Sequence, residues 1–119
     1  MEFMLYELAI GAIFRNEAPY FKEWIEYHQK VGVAHFWLYN DNSCDNWEEV
    51  LRPYIEKGVV EVIDWPVPSW NDFVAYQVGA YKDVLRRASD VTRWIALIDI
   101  DEFILPMMEK SVAECLDKH

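Results

Sequence analysis

Four short apolar runs, at 8–14, 34–39, 59–63 and 94–99, recur along the chain, each too short to stand as a helix of its own. Between them the apolar residues fall at helical spacing. From 20 to 31 they are Phe21, Trp24, Ile25, Tyr27 and Val31, with His28 alongside, Pro19 at the entry and Gly32 where a capping glycine ends a helix. Asp45 or Asn46 opens a second stretch that runs to 57 through Trp47, Val50, Leu51, Tyr54 and Ile55, is interrupted by Pro53 and closes at Gly58. A third starts within 69–72 and reaches 88 through Phe73, Tyr76, Gln77, Ala80, Tyr81, Val84 and Leu85. The segment 64–71, with two prolines and two tryptophans, is expected to be an ordered loop. After Pro106, Ser111 is placed to cap a last helix. Strands that alternate with helices predict an α/β fold with a mainly parallel sheet, here one domain over 1–119.

The chain can afford a packed core: 53% of its residues are hydrophobic and 16% aromatic. Its formal charge of −10 argues against a nucleic-acid partner, which needs a basic footprint. A phosphorylated ligand would face the same field, so its site would need a local Arg or Lys, helix-terminal amides or a metal. The two cysteines, Cys44 and Cys115, form no metal-binding or disulfide pattern, and a reducing, cytoplasmic setting is the expectation. No apolar run approaches the ~18 residues of a membrane span.

The fourth run ends in Asp99, Asp101 and Glu102. Side chains alternate along a strand, so an extended backbone predicts Asp99 and Asp101 on one face and Ile100 on the other. Paired carboxylates repel and resist desolvation, and a cation or a shared proton relieves them. Hard oxygen donors of this kind suit Mg²⁺ or Mn²⁺. Ligands of open α/β sheets gather at the carboxyl ends of strands, where this pair falls. The four glycines, Gly11, Gly32, Gly58 and Gly79, build neither a P-loop nor a GxGxxG turn, and no GxSxG elbow or Cys/His nucleophile is present.

Four blocks carry a resemblance: Arg15-Asn16-Glu17; Glu23-Trp24-Ile25-Glu26-Tyr27-His28 closing on Gly32-Val33; 39–45 with Asn40-Asp41-Asn42-Ser43; and Trp94 through Asp99-Ile100-Asp101-Glu102-Phe103. In this order and spacing the chain resembles the GT-A glycosyltransferases, more narrowly family 92 and the related family 2-like group, from about 8 to 106. The resemblance implies a Rossmann-like GT-A half-domain with sheet order 3-2-1-4 and helices on both faces. It implies Mn²⁺ or Mg²⁺ as cofactor and a nucleotide-sugar donor, foremost a UDP-sugar, used in glycan biosynthesis with a glycan, lipid or protein acceptor.

By the same resemblance Asp101 ligates the metal on the donor diphosphate. Asp99 contacts the ribose or sugar, or the metal through water. Asp41 reads the base or ribose, Arg15, Asn16 and Glu17 line the nucleotide pocket, and Gln77 faces the donor. All but Gln77 have a plainer reading beside them: Asp99 and Asp101 as a solvated strand end, Asp41 as a cap of its own turn, Asn16 and Glu17 as loop polar groups, Arg15 as the partner of an acidic neighbour. Glu102 is favoured as a helix-start charge over a third ligand, Trp24 and Tyr27 as core, and His28 as a hydrogen-bonded, partly buried histidine. No catalytic residue is assigned. The chain ends soon after the acidic motif, so donor binding without efficient transfer is expected, as is self-association through the open edge of the fourth strand. The rival is a noncatalytic nucleotide- or partner-binding module, with 65–70 as a partner surface.

Overall fold

The structure, a computed structural model, describes residues 4–105. In chain order it consists of β1 (Tyr6–Phe14), α1 (Ala18–Lys30), β2 (His35–Asn40), α2 (Trp47–Glu56), β3 (Val60–Asp64), a 3-10 turn (Trp70–Asp72), α3 (Phe73–Ala88) and β4 (Thr92–Leu97). The sheet order is β3-β2-β1-β4 and every neighbouring pair is parallel. The α/β class and the 3-2-1-4 order are those expected. The terminal helix expected after Ser111 lies outside the described residues.

Alternation along β1 and β2 assigns the two faces of the sheet. Leu8, Ile10, Ala12 and Phe14, with Phe36 and Leu38, pack beneath Phe21, Trp24 and Ile25 of α1 and Leu51 of α2. Ala9 and Ile13, with Trp37 and Tyr39, face Ala80, Val84 and Ala88 of α3. Helices therefore cover both faces, and β2 is buried along its whole length. Each large apolar side chain taken out of water this way contributes roughly 1.5–3 kcal/mol.

Gly32 performs its expected duty. At φ 110° it follows Val31, the C-cap of α1, with its amide bonded to the Gln29 carbonyl and the Val33 amide to that of His28. That pair of bonds is a Schellman cap, and it turns the chain straight into β2. The same pair, Gly58 to Ile55 and Val59 to Tyr54, ends α2. Pro53 leaves α2 continuous.

Two expectations change. Neither Asp45 nor Asn46 caps α2 through its side chain: Asn46 stands at the cap position without such a bond, and Asp45 faces α1 instead. The fourth strand also ends at Leu97, short of Asp99. The Ile98 amide makes a last bond to the Gly11 carbonyl at 3.3 Å, and the backbone then turns. Among the described residues β4 has one sheet neighbour, β1, and is an edge strand.

Candidate functional site

A cleft of about 260 Å³ opens at the carboxyl edge of the sheet. Arg15 and Glu17 reach it from the loop after β1, Asp41 from the end of β2, Gln77 from α3, and Asp99 and Asp101 from the segment after β4. Ile13, Phe14, Phe73 and Ile100 supply its apolar surface. Six of the seven side chains expected at a site thus converge, from four separate segments. Among the described residues Arg15 is the only cationic one in this lining.

Asp99 and Asp101 converge by a different device from strand alternation. The Asp99 amide donates to Glu102 Oε1 at 2.8 Å, and the Glu102 amide donates back to the Asp99 carbonyl at 3.0 Å. This closed turn exposes both aspartates while Ile100 points into the core. Glu102 holds the turn together through its side chain. Burial, and then the charges of Glu102 and Asp101, raise the Asp99 carboxyl above its ordinary value. Burial, with Asp101, Asp45 and Asp99, does the same to Glu17. Carboxylates that raise one another's proton affinity are equally relieved by a hard cation. Among the described residues no three His, Cys, Asp or Glu side chains form a metal cage by themselves. Mg²⁺ commonly takes only one or two carboxylates and completes its shell with phosphate oxygens and water. The donor set here suits an ion that arrives with a phosphorylated ligand.

Asn16 is the expected residue that lies outside the cleft lining. It adopts the left-handed conformation at φ 54°. Its Oδ1 accepts the Cys44 amide at 2.7 Å, and its own amide donates to Ser43 Oγ at 3.0 Å. It ties the loop after β1 to the loop after β2. Asp41 combines two duties: its Oδ1 accepts the Val67 amide at 2.9 Å and Asn42 Nδ2 at 3.1 Å, while its side chain still lines the cleft. Gln77 donates from Nε2 to the Tyr81 hydroxyl at 3.3 Å.

A second hollow of about 440 Å³ shares Arg15, Asp41 and Phe73 with the first and extends along Val67, Pro68, Ser69 and Trp70. The Trp70 and Phe73 rings stack there, 5.9 Å apart, and Trp70 is largely exposed. A third, of about 370 Å³, lies on the other side of Asp101 among Tyr20, Glu23 and Phe103, and among the described residues no Lys or Arg lines it. Sequence reasoning placed Phe73 only as an apolar helix position and Trp70 only in a loop. Their spacing of three residues across a helix start was the available signal.

The helix α1 grips the segment that follows the carboxylates. Trp24 Nε1 donates to the Glu102 carbonyl at 2.9 Å, and the Tyr27 hydroxyl donates to the Ile104 carbonyl at 2.6 Å. His28 Nε2 accepts the Ile104 amide at 3.2 Å, so its proton lies on Nδ1, which donates to the Trp24 carbonyl at 2.8 Å. Burial lowers the His28 pKa, only partly countered by the Trp24 carbonyl, and keeps the ring neutral. Phe103 stacks on that ring at 5.6 Å and meets Tyr27 edge-on at 5.1 Å. Trp24 is a core residue as expected, Tyr27 is only half-buried against that core, and both spend their polar atoms on this segment.

The sequence profile of glycosyltransferase family 92 matches residues 8–119. A glycosyltransferase family 92 protein of Ricinus communis is 30% identical over 99 residues, covering 82% of this chain and 17% of its own length. Galactan beta-1,4-galactosyltransferase GALS3 of Arabidopsis thaliana is 31% identical over 119 residues, covering 92% of this chain and 23% of its own. Beta-1,4-galactosyltransferase galt-1 of Caenorhabditis elegans is 27% identical over 108 residues, covering 86% and 25%. The chain thus spans at most a quarter of the length of these relatives. With a matching profile over nearly its whole length, the chain belongs to glycosyltransferase family 92.

Proposed function

We propose that the chain is the donor-binding part of a glycosyltransferase: its cleft takes a nucleotide sugar whose diphosphate is held, with Mn²⁺ or Mg²⁺, at Asp99 and Asp101. The observation that carries this reading is the convergence of Arg15, Glu17, Asp41, Gln77, Asp99 and Asp101 on one cleft at the carboxyl edge of the sheet. The divalent ion, when bound, supplies Lewis-acid neutralisation of the charge that develops on the leaving nucleoside diphosphate.

The chain's own groups have complementary tasks. Arg15 directs positive charge at phosphate oxygens in an otherwise acidic protein. Asp41 commits one carboxylate oxygen to its loop and offers the other to a ribose hydroxyl or a base N–H. The stacked Trp70 and Phe73 beside it give a ring surface for the nucleobase. Gln77 offers an amide to the donor. Asn16 acts indirectly, by holding the two nucleotide-facing loops together. The names of the galactosyltransferase relatives support galactose as the sugar, and UDP is the carrier that the family resemblance implies. Among the described residues the third hollow combines rings and carboxylates without a cation, which suits a neutral sugar, and we assign it to the acceptor side.

The second reading, a noncatalytic interaction module, is favoured by the exposed Trp70 at the rim. Titrating the chain with UDP-galactose and a GDP-sugar, with Mn²⁺ or with EDTA, separates the two. Metal-dependent binding that prefers the UDP-sugar supports the donor site. Absence of nucleotide binding under every condition overturns it in favour of the module.

A further inference from the structure

We propose that Trp24, Tyr27 and His28 are positioning residues, which set from one face of α1 where Asp99 and Asp101 stand against Glu17. The last ladder bond of β4 joins Ile98 to Gly11. Beyond it the carboxylate turn is closed on itself by the Asp99–Glu102 pair, and those bonds do not fix its place on the sheet. That place is fixed by the buried Ile100 and by α1. Three side chains within five residues of one helix direct their polar atoms at the backbone of Glu102 and Ile104.

The same helix carries Glu17 at its start, and its first amide, that of Ala18, is tied to the loop after β2 through Asp45. Both walls of the cleft around Asp101 therefore hang on one rigid element. A displacement of about 1 Å in such a constellation is enough to degrade ligand geometry. Packing alone does not account for the arrangement: an apolar side chain could fill the space of Tyr27 without a hydroxyl placed 2.6 Å from the Ile104 carbonyl.

The test uses the full 119-residue chain and two conservative variants, Tyr27→Phe and Trp24→Phe, singly and combined. Each keeps an aromatic ring and deletes one donor. The first readout needs no metal: amide exchange at Asp99 and Glu102 is expected to quicken about tenfold in the combined variant, with Leu38 in the central sheet unchanged. The second rests on the donor reading above: affinity for Mn²⁺ with UDP, followed by the Mn²⁺ spin-resonance signal, is expected to fall by about fivefold or more. Unchanged exchange at Asp99 and Glu102 overturns the positioning role. Quickened exchange with unchanged Mn²⁺–UDP affinity overturns it too, by reducing the contacts to packing. Absence of Mn²⁺–UDP binding in the unaltered chain overturns the donor reading instead and leaves the exchange readout to decide the positioning.

Discussion

The carboxylate of Asp45 accepts a hydrogen bond from the backbone amide of Ala18 at 2.9 Å, so the first turn of α1 is capped by a residue 27 positions away. Helix starts leave four amides without intrahelical partners, and an acidic side chain nearby satisfies one and favours the helix dipole. Glu17, which occupies the cap position itself, makes no such bond and keeps its carboxylate for the cleft. The division of labour leaves the Glu17 side chain in the lining of the cleft.

Asp45→Ala is therefore expected to destabilise the chain by ~1 kcal/mol. A domain of this size would lose about 4–8 °C in Tm, read by circular dichroism. Asp45→Asn retains the acceptor and should recover most of that loss. Equal loss in both variants would show that charge, and not the cap bond, carries the effect.

Gly11 lies where α3 crosses closest to β1. A Cβ there would stand 2.9 Å from both methyls of Val84 and 3.2 Å from Leu97 Cδ2. Val84 is fully buried and, being β-branched, has no spare rotamer on a helix. Gly11→Ala should cost about 1–3 kcal/mol in urea unfolding. Its cost should shrink on a Val84→Ala background, because the two sites share one contact. Additive costs in that cycle would contradict the close approach.

Asp83 on α3 accepts the Tyr39 hydroxyl at 2.8 Å, Arg87 Nε at 2.8 Å and an Arg86 donor. Burial raises its pKa, but the hydrogen bonds from Arg87, Tyr39 and Arg86 outweigh burial and hold it at about 2 against an ordinary 3.8. The folded value is depressed, so the stabilisation is complete above the ordinary value and is lost as pH falls toward about 2. Asp83→Asn should be less stable than the parent by ~2 kcal/mol at neutral pH. The gap should close as pH falls through that window, in denaturant titrations at stepped pH. A gap independent of pH would refute the linkage.

The strands and their parallel order were legible because buried strands in such a sheet are short apolar runs, and β1 and β2 are covered on both faces. Gly32 was legible because a Schellman cap has few chemical solutions. The end of β4 was not: Ile98, Asp99 and Ile100 alternate as a strand would, and the turn is made by Glu102 folding back on the Asp99 amide. The destination of Asp45 was hidden for a related reason. A cap supplied across 27 residues has no local signature. Trp24, Tyr27 and His28 sit at apolar helical spacing, and periodicity reports which side of a helix is buried without reporting what its polar atoms meet. Arg15, Glu17, Asp41, Asp99 and Asp101 were readable as a group because they follow strand ends along one edge of the sheet and fall in the blocks that carry the family resemblance, whereas Gln77 rested on that resemblance alone. Asn16 shared that signal and performs a loop-tying role instead.

Calorimetric titration of UDP into the chain with Mn²⁺ and with EDTA, repeated on Asp101→Ala, tests the donor site most directly. The account predicts Mn²⁺-dependent binding that weakens at least about tenfold in Asp101→Ala, the loss expected when one of two charged ligands is removed. Binding of equal strength in EDTA, or an Asp101→Ala variant that binds as the parent does, would contradict it.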